Sequence, residues 1–323
     1  MDDQGRLGWG VLGTADIARR RFLPALRQSE RSYLAALGSR SFDRATAVVA
    51  EHGEGRAAGS YEAVLADPAV DLVYVPLPGL LHHEWVLAAL AAGKHVLCEK
   101  ALVRSVAEVR EIDAAARAAG RIVMEGFMYR FHPQWDPSVL APLLAEVGGV
   151  TSAHCWTSFP YDPARDRWQD AAMRGGALWE IGCYCLDALA WQFGEVDQVS
   201  VLASAQPNQD LTAVALRFAS GMPATAWWSF SAAWTKRFLV VGTTGTLELE
   251  RPFQADGGGC AWVERRRERH KVDLPGADCF LREINHFAAA AIGEVSPAIT
   301  LEDSARWIRQ AETVDAEMMD MDA

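Results

Sequence analysis

The stretch LGWGVLGTADIARRRFLPAL, Leu7 to Leu26, decides the fold, because a short apolar run passes through a turn directly into a helical pattern. Residues 7–13 form the apolar run, and residues 16–29 place apolar side chains at helical spacing. The turn between them, GTADIA, consists mostly of small residues. A strand that leads through such a turn into a helix predicts the first unit of a parallel sheet.

The same alternation of strand and helix patterns continues to about residue 124. Apolar runs of strand length predict further strands at 32–40, 71–78, 95–100 and 121–127. Helical spacing between them predicts helices at 41–53, 82–94 and 106–120. Continuous apolar strands separated by helices are typical of a parallel sheet covered on both faces. We therefore predict an N-terminal doubly wound α/β domain over residues 1–124.

The pattern changes after residue 125, where strand-like segments follow one another. They lie at 150–160, 196–206, 210–220, 222–233, 236–250 and 260–274. Ser220-Gly221 predicts a hairpin turn between two of them. Helical patterns lie at about 134–146, 178–192, 281–292 and 301–317. These features predict a second, α+β domain over residues 125–323, built on a large, mostly antiparallel open sheet.

Composition and charge disfavour several classes of function. The 323 residues carry 31 Lys and Arg against 42 Asp and Glu, a net charge of −11, which disfavours binding to nucleic acid or to an anionic membrane. The six cysteines show no Cys-x-x-Cys pair and no zinc-like Cys/His spacing, so we predict reduced thiols and no metal site. The N-terminal stretch lacks the apolar core of a signal peptide, and no apolar run is long enough to cross a bilayer. We therefore expect a cytoplasmic protein.

The turn at residues 13–18 predicts a dinucleotide site. Gly13, Ala15 and Ala18 occupy the small positions of the dinucleotide fingerprint. A tight turn with little side-chain bulk lets backbone N–H groups at a helix N-terminus meet a pyrophosphate. A strand–helix turn that binds nothing is the alternative. The position of the motif at the first strand of a βαβ unit favours the cofactor.

The tip of the second predicted strand bears on the choice of cofactor. An acidic residue there would bond the ribose 2′-OH of NAD, but this chain has Ser39 and Arg40, with Arg44 one turn further on. Arg40 can bind a 2′-phosphate, so we predict NADP(H), with NAD(H) as the alternative. The other interpretation of Arg40 is an ordinary solvated arginine.

A Glu-Lys pair, Glu99 and Lys100, ends the strand predicted at 95–100. Ligands of doubly wound sheets bind beyond the carboxyl ends of the strands, so this pair is a candidate for the active site. A structural salt bridge between the two residues is the alternative that the motif alone leaves open.

The segment GGALWEIGCYCLDAL, residues 175–189, carries a second set of candidate groups. Glu180 and Tyr184 lie four residues apart, a spacing that places both on one face of an α-helix, and Asp187 lies one turn beyond Tyr184. The surrounding residues are mostly apolar. The segment is therefore either a core helix that tolerates polar groups or the wall of an active site.

Taken together, these segments resemble one family. GTADIA opens the first βαβ unit and SR follows the second strand; the chain continues with VPLPGLLHHEWVLAALAAGKHVLCEKAL, GFMYRFHPQW, GGALWEIGCYCLDAL and GTTGTLEL. The set is similar to the Gfo/Idh/MocA family, of the glucose–fructose oxidoreductase and inositol dehydrogenase type, over nearly the whole chain. The resemblance implies a Rossmann domain followed by a sheet domain that often mediates homodimers or homotetramers. It also implies hydride transfer between a nicotinamide and a carbon of a sugar or cyclic polyol.

The resemblance further implies roles for individual residues. The family lysine falls on Lys100, and the family Asp-x-Gly-x-His/Tyr pattern falls on Glu180, Gly182 and Tyr184. The implied cofactor contacts are Gly13, Thr14, Ala15, Asp16, Ile17, Ser39, Arg40, Arg44, Pro76, Leu77, His82, Glu99 and Lys100. The implied substrate contacts are Lys100, Tyr129, Arg130, His132, Trp168, Glu180 and Tyr184. Two positions depart from the family, because Ala101 replaces proline and Glu180 replaces aspartate.

The residue types indicate how such a reaction would run. Reduction of a ketone needs a hydride from nicotinamide C4 and a proton for the developing alkoxide, and Tyr184 can donate that proton as a general acid. A nearby Lys100 ammonium would lower the pKa of the phenol and stabilise the alkoxide. Glu180 would orient Lys100 or bind a substrate hydroxyl. His132 is either a second acid or structural, and Asp187 is either a site residue or part of a structural salt bridge.

The leading hypothesis is an NADP(H)-dependent keto-sugar reductase. ADIARRRFLPAL and VPLPGLLHHEW resemble ketoreductases of nucleotide-linked keto-sugars, whereas FMYRFHPQ equally suits xylose or dihydrodiol dehydrogenases. A redox-neutral glycoside hydrolase that retains NAD and a non-catalytic cofactor sensor are further alternatives. Arg40 argues against the hydrolase, and the presence of Lys100 and Tyr184 argues against the sensor. The tryptophans placed where one could line a sugar site are Trp156, Trp168 and Trp179.

Overall fold

The structure, a computed structural model, describes residues 2, 4–160, 176–203, 211–254 and 256–321. It divides into two compact units, Met1–Met128 with Asp278–Ser304 and Tyr129–Ala277 with Ala305–Ala323. The first boundary falls a few residues beyond the expected one at 124, and residues 278–304 join the first unit, not the second. No helix in the described ranges is long and apolar enough to span a membrane.

The first unit is a six-stranded parallel sheet in the order β3-β2-β1-β4-β5-β6. Its strands are β1 (Leu7–Leu12), β2 (Ser32–Gly38), β3 (Arg56–Ala58), β4 (Leu72–Val75), β5 (His95–Glu99) and β6 (Val123–Gly126). Its helices are α1 (Leu23–Leu26), α2 (Phe42–His52), α3 (Tyr61–Leu65), α4 (His82–Ala91), α5 (Val106–Ala119) and α8 (Cys279–Ala291). The strand order reverses between β1 and β4, where doubly wound sheets bind ligands at their carboxyl ends. The predicted doubly wound sheet is confirmed.

The helix α8 explains why the chain returns to the first unit. Asp278 caps this helix by accepting a hydrogen bond from the Leu281 N–H at 3.1 Å. The apolar face of α8 packs against α1 and β2, and the Phe287 ring lies 5.5 Å from the ring of Trp9 in β1. The sequence pattern shows that this helix has an apolar face, but it does not show which sheet the face covers.

Three elements of the first unit differ from the sequence expectation. The sequence does not predict β3 or α3, because three to five residues are too few to show a periodicity. The helix expected at 16–29 consists of a π-helical segment, Ala18–Phe22, followed by α1. Pro24 has no backbone N–H to continue an α-helical ladder, which favours the wider hydrogen-bond spacing before it.

The second unit is an eight-stranded sheet in the order β14-β13-β12-β11-β7-β10-β9-β8. Its strands are β7 (Val150–Ser158), β8 (Val196–Ala203), β9 (Leu211–Phe218), β10 (Pro223–Ser229), β11 (Thr235–Gly242), β12 (Gly245–Leu249), β13 (Gly259–Arg265) and β14 (Glu268–Leu274). Its helices are α6 (Pro137–Val147) and α7 (Cys183–Phe193), and α9 (Leu301–Met321) begins in the first unit and continues in the second. Among the strands that the structure describes in this sheet, every pair is antiparallel except β7 with β10. The predicted, mostly antiparallel sheet is confirmed.

The burial pattern shows that this sheet has two different faces. Along β9, buried residues alternate with more exposed ones, as expected for a strand covered on one side. The helices α6 and α7 pack on the covered side. The hairpin expected at Ser220-Gly221 joins β9 to β10. The segment 260–274 splits into two strands at Arg266 and Arg267, which adopt positive φ angles of 52° and 70° without the glycine that would have signalled a turn.

Candidate active site

The glycine turn after β1 leaves a small space that a side chain would fill. Gly13 has φ +110°, and its N–H donates to the Gly38 carbonyl at the end of β2 at 2.8 Å. A Cβ atom on Gly13 would lie 3.1 Å from Leu77 Cδ2 and 3.6 Å from Tyr61 Oη. Residues 14–17 are part-exposed, and Ala18 is fully buried. The turn is therefore tight, low in side-chain bulk and part-exposed, as a pyrophosphate site requires.

Tyr61 at this turn is a residue that sequence reasoning missed. It is the first residue of α3, a helix too short to be predicted. Burial raises the pKa of its phenol, while the charge of Arg40 lowers it. The hydroxyl group therefore stays protonated beside the glycine turn and can donate a hydrogen bond there.

The end of β2 presents a helix N-terminus and two cations. Ser39 is buried, and its Oγ accepts from the Ser41 N–H at 3.2 Å. Ser41 caps α2 by accepting from the Arg44 N–H at 3.4 Å. Arg40 and Arg44 are exposed. A helix N-terminus with guanidinium groups suits an anion, so these residues fit the 2′-phosphate of NADP(H).

The segment after β5 is held through its backbone. The Lys100 N–H donates to Glu99 Oε2 at 3.3 Å, and Glu99 Oε1 accepts from the Tyr74 hydroxyl at 2.6 Å. The Leu102 N–H donates to Glu125 Oε1 at 2.7 Å. The peptide bond between Lys100 and Ala101 is cis. Lys100 itself is part-exposed, so its side chain stands at the carboxyl end of β5 with its backbone fixed.

Glu125 is a second residue that sequence reasoning missed. It is fully buried, and its Oε2 accepts from the Ser304 hydroxyl at 2.6 Å. Both of its carboxylate oxygens are therefore occupied by hydrogen bonds from residues far away in the sequence. No local motif marks it, because its role depends on contacts that only the folded chain brings together.

Three other implied cofactor contacts lie around the end of β4. Pro76 and Leu77 are buried, with Leu77 covering Gly13. His82 is 1% exposed, and its ring nitrogens face the carbonyl oxygens of Leu77 and Ala101. His82 thus lies between two loops of the first unit.

The segment before Tyr184 is not a regular α-helix. Leu178–Gly182 form a π-helical turn that continues directly into α7. The expectation that Glu180 and Tyr184 share a face assumed α-helical spacing, so spacing alone does not settle it. Both residues are part-exposed. A Cβ atom on Gly182 would lie 2.7 Å from two ring atoms of the buried Trp228 in β10, so this glycine lets the turn approach the sheet closely.

The Tyr184 ring is held by aromatic contacts within the second unit. Its centroid lies 5.9 Å from that of Tyr129, at an edge-on angle of 60°, and 5.2 Å from that of Phe253. Such contacts favour one ring orientation. The part-exposed Tyr184 is therefore a polar group on a rigid aromatic support.

Asp187 belongs to a buried ion pair. It is 1% exposed and accepts hydrogen bonds from the Tyr129 hydroxyl, from Arg130 Nη2 and from Arg130 Nε, the last at 3.0 Å. The Arg130 guanidinium also lies 4.6 Å from the centre of the Trp191 ring. Burial and the Asp187 charge raise the pKa of Tyr129 well above its usual value. Of the two interpretations of Asp187, the structure supports the salt bridge, and it gives Tyr129 and Arg130 internal partners.

His132 is also committed within the protein. It is 1% exposed, its Nδ1 accepts from the Gln134 N–H at 3.2 Å, and its Nε2 lies 2.9 Å from the Gly257 carbonyl oxygen. The side-chain nitrogen of Gln254 also lies 2.9 Å from Nε2, so both ring nitrogens have partners within the protein. The structure favours the structural interpretation of His132 over a role as an acid.

The three tryptophans proposed for a sugar site differ. Trp179 is 4% exposed, with its ring edge-on to that of Trp307 at 5.9 Å, so it belongs to the core. Trp156 is part-exposed on the sheet and stacks on Trp227. Trp168 lies outside the described residues.

Comparison with known proteins decides the family. A model of the oxidoreductase family with an NAD-binding Rossmann fold, GFO_IDH_MocA, matches residues 7–127, and a model of the GFO/IDH/MocA C-terminal domain matches residues 145–248. The chain belongs to the Gfo/Idh/MocA family. The predicted family and the predicted oxidoreductase class are thereby confirmed.

Two relatives and one solved structure match this Gfo/Idh/MocA chain over nearly its whole length. D-xylose 1-dehydrogenase (NADP(+)) 2 of Haloferax volcanii is 36% identical and covers 95% of both chains. The dTDP-3,4-didehydro-2,6-dideoxy-alpha-D-glucose 3-reductase of Actinomadura kijaniata is 35% identical, covering 95% of this chain and 93% of its own. A crystal structure of a 3-ketoreductase from Actinomadura kijaniata, in complex with NADP and TDP-benzene, is 33% identical, covers 96% of both chains and has a TM-score of 0.85.

Proposed function

We propose that this chain catalyses the NADP(H)-dependent reduction of a ketone on a sugar, with nucleotide-linked keto-sugars as the substrate class. The observation that carries the proposal is a part-exposed lysine, Lys100, with a fixed backbone at the carboxyl end of β5, together with a part-exposed phenol, Tyr184, on an aromatic support. Both belong to a chain of an oxidoreductase family with an NAD-binding fold.

The proposed chemistry divides between these two side chains. The bound nicotinamide supplies the hydride. Tyr184 donates the proton that the developing alkoxide needs, and Lys100 donates a charged hydrogen bond to the same oxygen. Glu180, part-exposed two residues before Gly182, is proposed to bind a sugar hydroxyl or to orient Lys100. Tyr129 is not proposed as the acid, because it is fully buried and its hydroxyl already donates to Asp187.

The choice of NADP(H) rests on the end of β2. Arg40 and Arg44 are exposed beside the N-terminus of α2 and can bind the 2′-phosphate. The end of β2 carries the buried Ser39 in place of the acidic residue that would bind the ribose of NAD. The 3-ketoreductase of similar structure was solved with NADP. We propose NAD(H) as the weaker alternative cofactor.

Relatives support the proposed pair of catalytic residues. Among the similar structures, the 3-ketoreductase occurs with one lysine substituted and, separately, with one tyrosine substituted. Those two positions are as far apart along its chain as Lys100 and Tyr184 are here. The similarity supports Lys100 and Tyr184 over the other polar residues of the same segments.

The test measures oxidation of NADPH and of NADH by the purified chain with free and deoxythymidine-diphosphate-linked keto-sugars. We expect turnover with NADPH and a nucleotide-linked keto-sugar. Lys100→Ala and Tyr184→Phe should each lower kcat about 100-fold, because each removes one group that acts in the transition state. Lys271→Ala and Tyr33→Phe, at an exposed lysine and a part-exposed tyrosine, serve as controls and should leave kcat unchanged.

Other outcomes support the other candidates. Reduction of NADP⁺ by D-xylose or a trans-dihydrodiol, without keto-sugar reduction, would favour the dehydrogenase, which the 36% identity to a xylose dehydrogenase supports. Glycoside cleavage without net cofactor turnover would favour the hydrolase. Cofactor binding without any turnover would favour the sensor. Full turnover by both Lys100→Ala and Tyr184→Phe would overturn the assignment of the site.

We also propose that a second copy of the chain covers the open face of the eight-stranded sheet, giving a homodimer or homotetramer. Trp156 and Trp227 stack at 6.4 Å, and both are part-exposed. Large aromatic residues are enriched at such interfaces. Sedimentation velocity of the wild type and of Trp227→Glu tests this proposal. A monomeric wild type would contradict it.

We also propose that the protein works in the reducing cytoplasm that the sequence predicts, which the six free thiols fit.

A further inference from the structure

His82, the first residue of α4, touches two loops at once. Its side chain is 1% exposed. Nδ1 lies 2.7 Å from the carbonyl oxygen of Ala101, and Nε2 lies 2.7 Å from the carbonyl oxygen of Leu77. Both distances are short enough for a hydrogen bond, and the protonation of the ring decides which of the two bonds forms.

The two carbonyl groups belong to loops that matter to the proposed reaction. Ala101 directly follows Lys100, and Leu77 covers the glycine turn at Gly13. We propose that His82 is a positioning residue for Lys100, because it ties the Lys100–Leu102 segment to the loop that covers the cofactor turn. This inference rests on the proposed role of Lys100.

The contact between His82 and Ala101 is one of three contacts that side chains make with the backbone of residues 100–102. The Lys100 N–H donates to Glu99, and the Leu102 N–H donates to Glu125. His82 Nδ1 contacts the carbonyl oxygen of Ala101, the residue between them. Three successive residues in a segment outside any strand are thus each held by a titratable side chain.

The number of N–H groups on the His82 ring decides how many hydrogen bonds it donates to the two loops. Both partners are carbonyl oxygens, which only accept, and a neutral imidazole has one N–H whereas an imidazolium has two. Burial is the largest influence on the pKa of His82 and lowers it. The backbone hydrogen-bond partners Ala101, Leu77 and Leu102 raise it, the Lys100 charge lowers it slightly, and the net direction is down. The ring is therefore neutral near pH 7 and donates to one loop at a time.

Other charged groups around α4 are directed elsewhere. On α5, Glu111 lies 3.0 Å from Nε2 of the neighbouring His83. On β4 and β5, Tyr74 and Glu99 bond to each other. Acidification should therefore add a second N–H to His82 only below the pH at which an ordinary histidine protonates.

The test compares His82→Phe, which keeps a ring but no donor, with His82→Gln, which keeps an amide donor. His83→Phe is the matched control, on the same helix with a part-exposed side chain. We expect His82→Phe to lower kcat about 10-fold to 100-fold with KM for NADPH changed less than about threefold, because a small displacement of a catalytic group is costly. His82→Gln should recover part of the loss, and His83→Phe should match the wild type.

A second readout does not depend on turnover. Amide hydrogen exchange of residues 99–103 should become faster in His82→Phe but not in His83→Phe. In the wild type, ¹⁵N spectra of the imidazole should show one protonated nitrogen near pH 7. Faster exchange in a chain that reduces no sugar would contradict the proposed function and keep the tie. Unchanged exchange, or unchanged kcat in an enzyme that does turn over, would overturn the tie.

Discussion

The segments that carry Lys100 and Tyr184 are held in different ways. Around Lys100, side chains bind the backbone, as Glu99, His82 and Glu125 do for three successive residues. Around Tyr184, side chains pack on side chains, with Tyr129 and Phe253 against its ring. The first arrangement fixes the path of the chain around Lys100. The second fixes the plane of a ring.

This difference follows from what each residue has to do in the proposed reaction. A lysine ammonium on a flexible stem can follow an oxygen as charge develops, provided that its backbone is anchored. A phenol that donates a proton needs a fixed direction, which a rigid aromatic ring supplies at little cost in side-chain entropy. Substitutions should therefore damage the Lys100 segment through lost hydrogen bonds and the Tyr184 segment through lost packing or an unpaired buried charge.

The largest loss of stability is expected at Asp187, which lies three residues after Tyr184 in α7. Asp187→Asn leaves the Arg130 guanidinium buried without its carboxylate, and breaking a buried pair costs about 3–5 kcal/mol in the free energy of unfolding. Urea denaturation measures this loss. Asp197→Asn, which breaks an exposed pair with Arg217, is the control and should cost less than about 1 kcal/mol. Equal losses in the two variants would show that the buried pair is not what supports this segment.

A smaller effect is expected at Gly182, where the π-helical turn meets the sheet. Gly182→Ala places a methyl group 2.7 Å from the Trp228 ring, and overpacking of this kind costs about 1–3 kcal/mol. Because Tyr184 follows two residues later, kcat should fall as well. Gly149→Ala, where the nearest atom would lie at 3.8 Å, is the matched control. A thermal unfolding midpoint for Gly182→Ala equal to that of the control would contradict the close approach.

The smallest effect is expected at Glu125, on the Lys100 side. Glu125→Gln keeps the shape but turns two charged hydrogen bonds, from Leu102 and Ser304, into neutral ones, which should cost about 1 kcal/mol. The Leu102 amide should exchange faster, and kcat should fall more than KM rises. Glu111→Gln on the exposed side of α5 is the control. If Leu102 exchanges at the wild-type rate, Glu125 does not anchor the segment.

Local sequence patterns predicted much of the fold. The run at 7–13, the turn at Gly13 and the helical spacing after it predicted the doubly wound sheet, because strand and helix periods are written in neighbouring residues. The same patterns missed β3 and α3, which are too short to show a period, and the π-helical turn at Leu178–Gly182. They also placed the helix at 281–292 in the second domain, whereas α8 belongs to the first unit, because periodicity shows that a face is apolar and not what covers it.

The candidate site follows the same division. The motifs marked Gly13, Lys100 and Tyr184, because the special backbone of a turn and the residue types of a proton transfer are properties of short segments. The sequence left Asp187 open and placed Tyr129 and Arg130 among the substrate contacts; the structure pairs all three, although the hydrogen-bonded residues lie 57 and 58 positions apart.

By itself, then, the sequence determined the order of the elements, the class of the fold and the residues with reactive side chains. Only the tertiary structure decided their partners: Glu125 with Leu102, and His82 with the carbonyls of Leu77 and Ala101. The physical reason is that a hydrogen bond or an ion pair forms between whichever groups folding brings to within about 3 Å, and that depends on how whole elements pack and not on spacing along the chain.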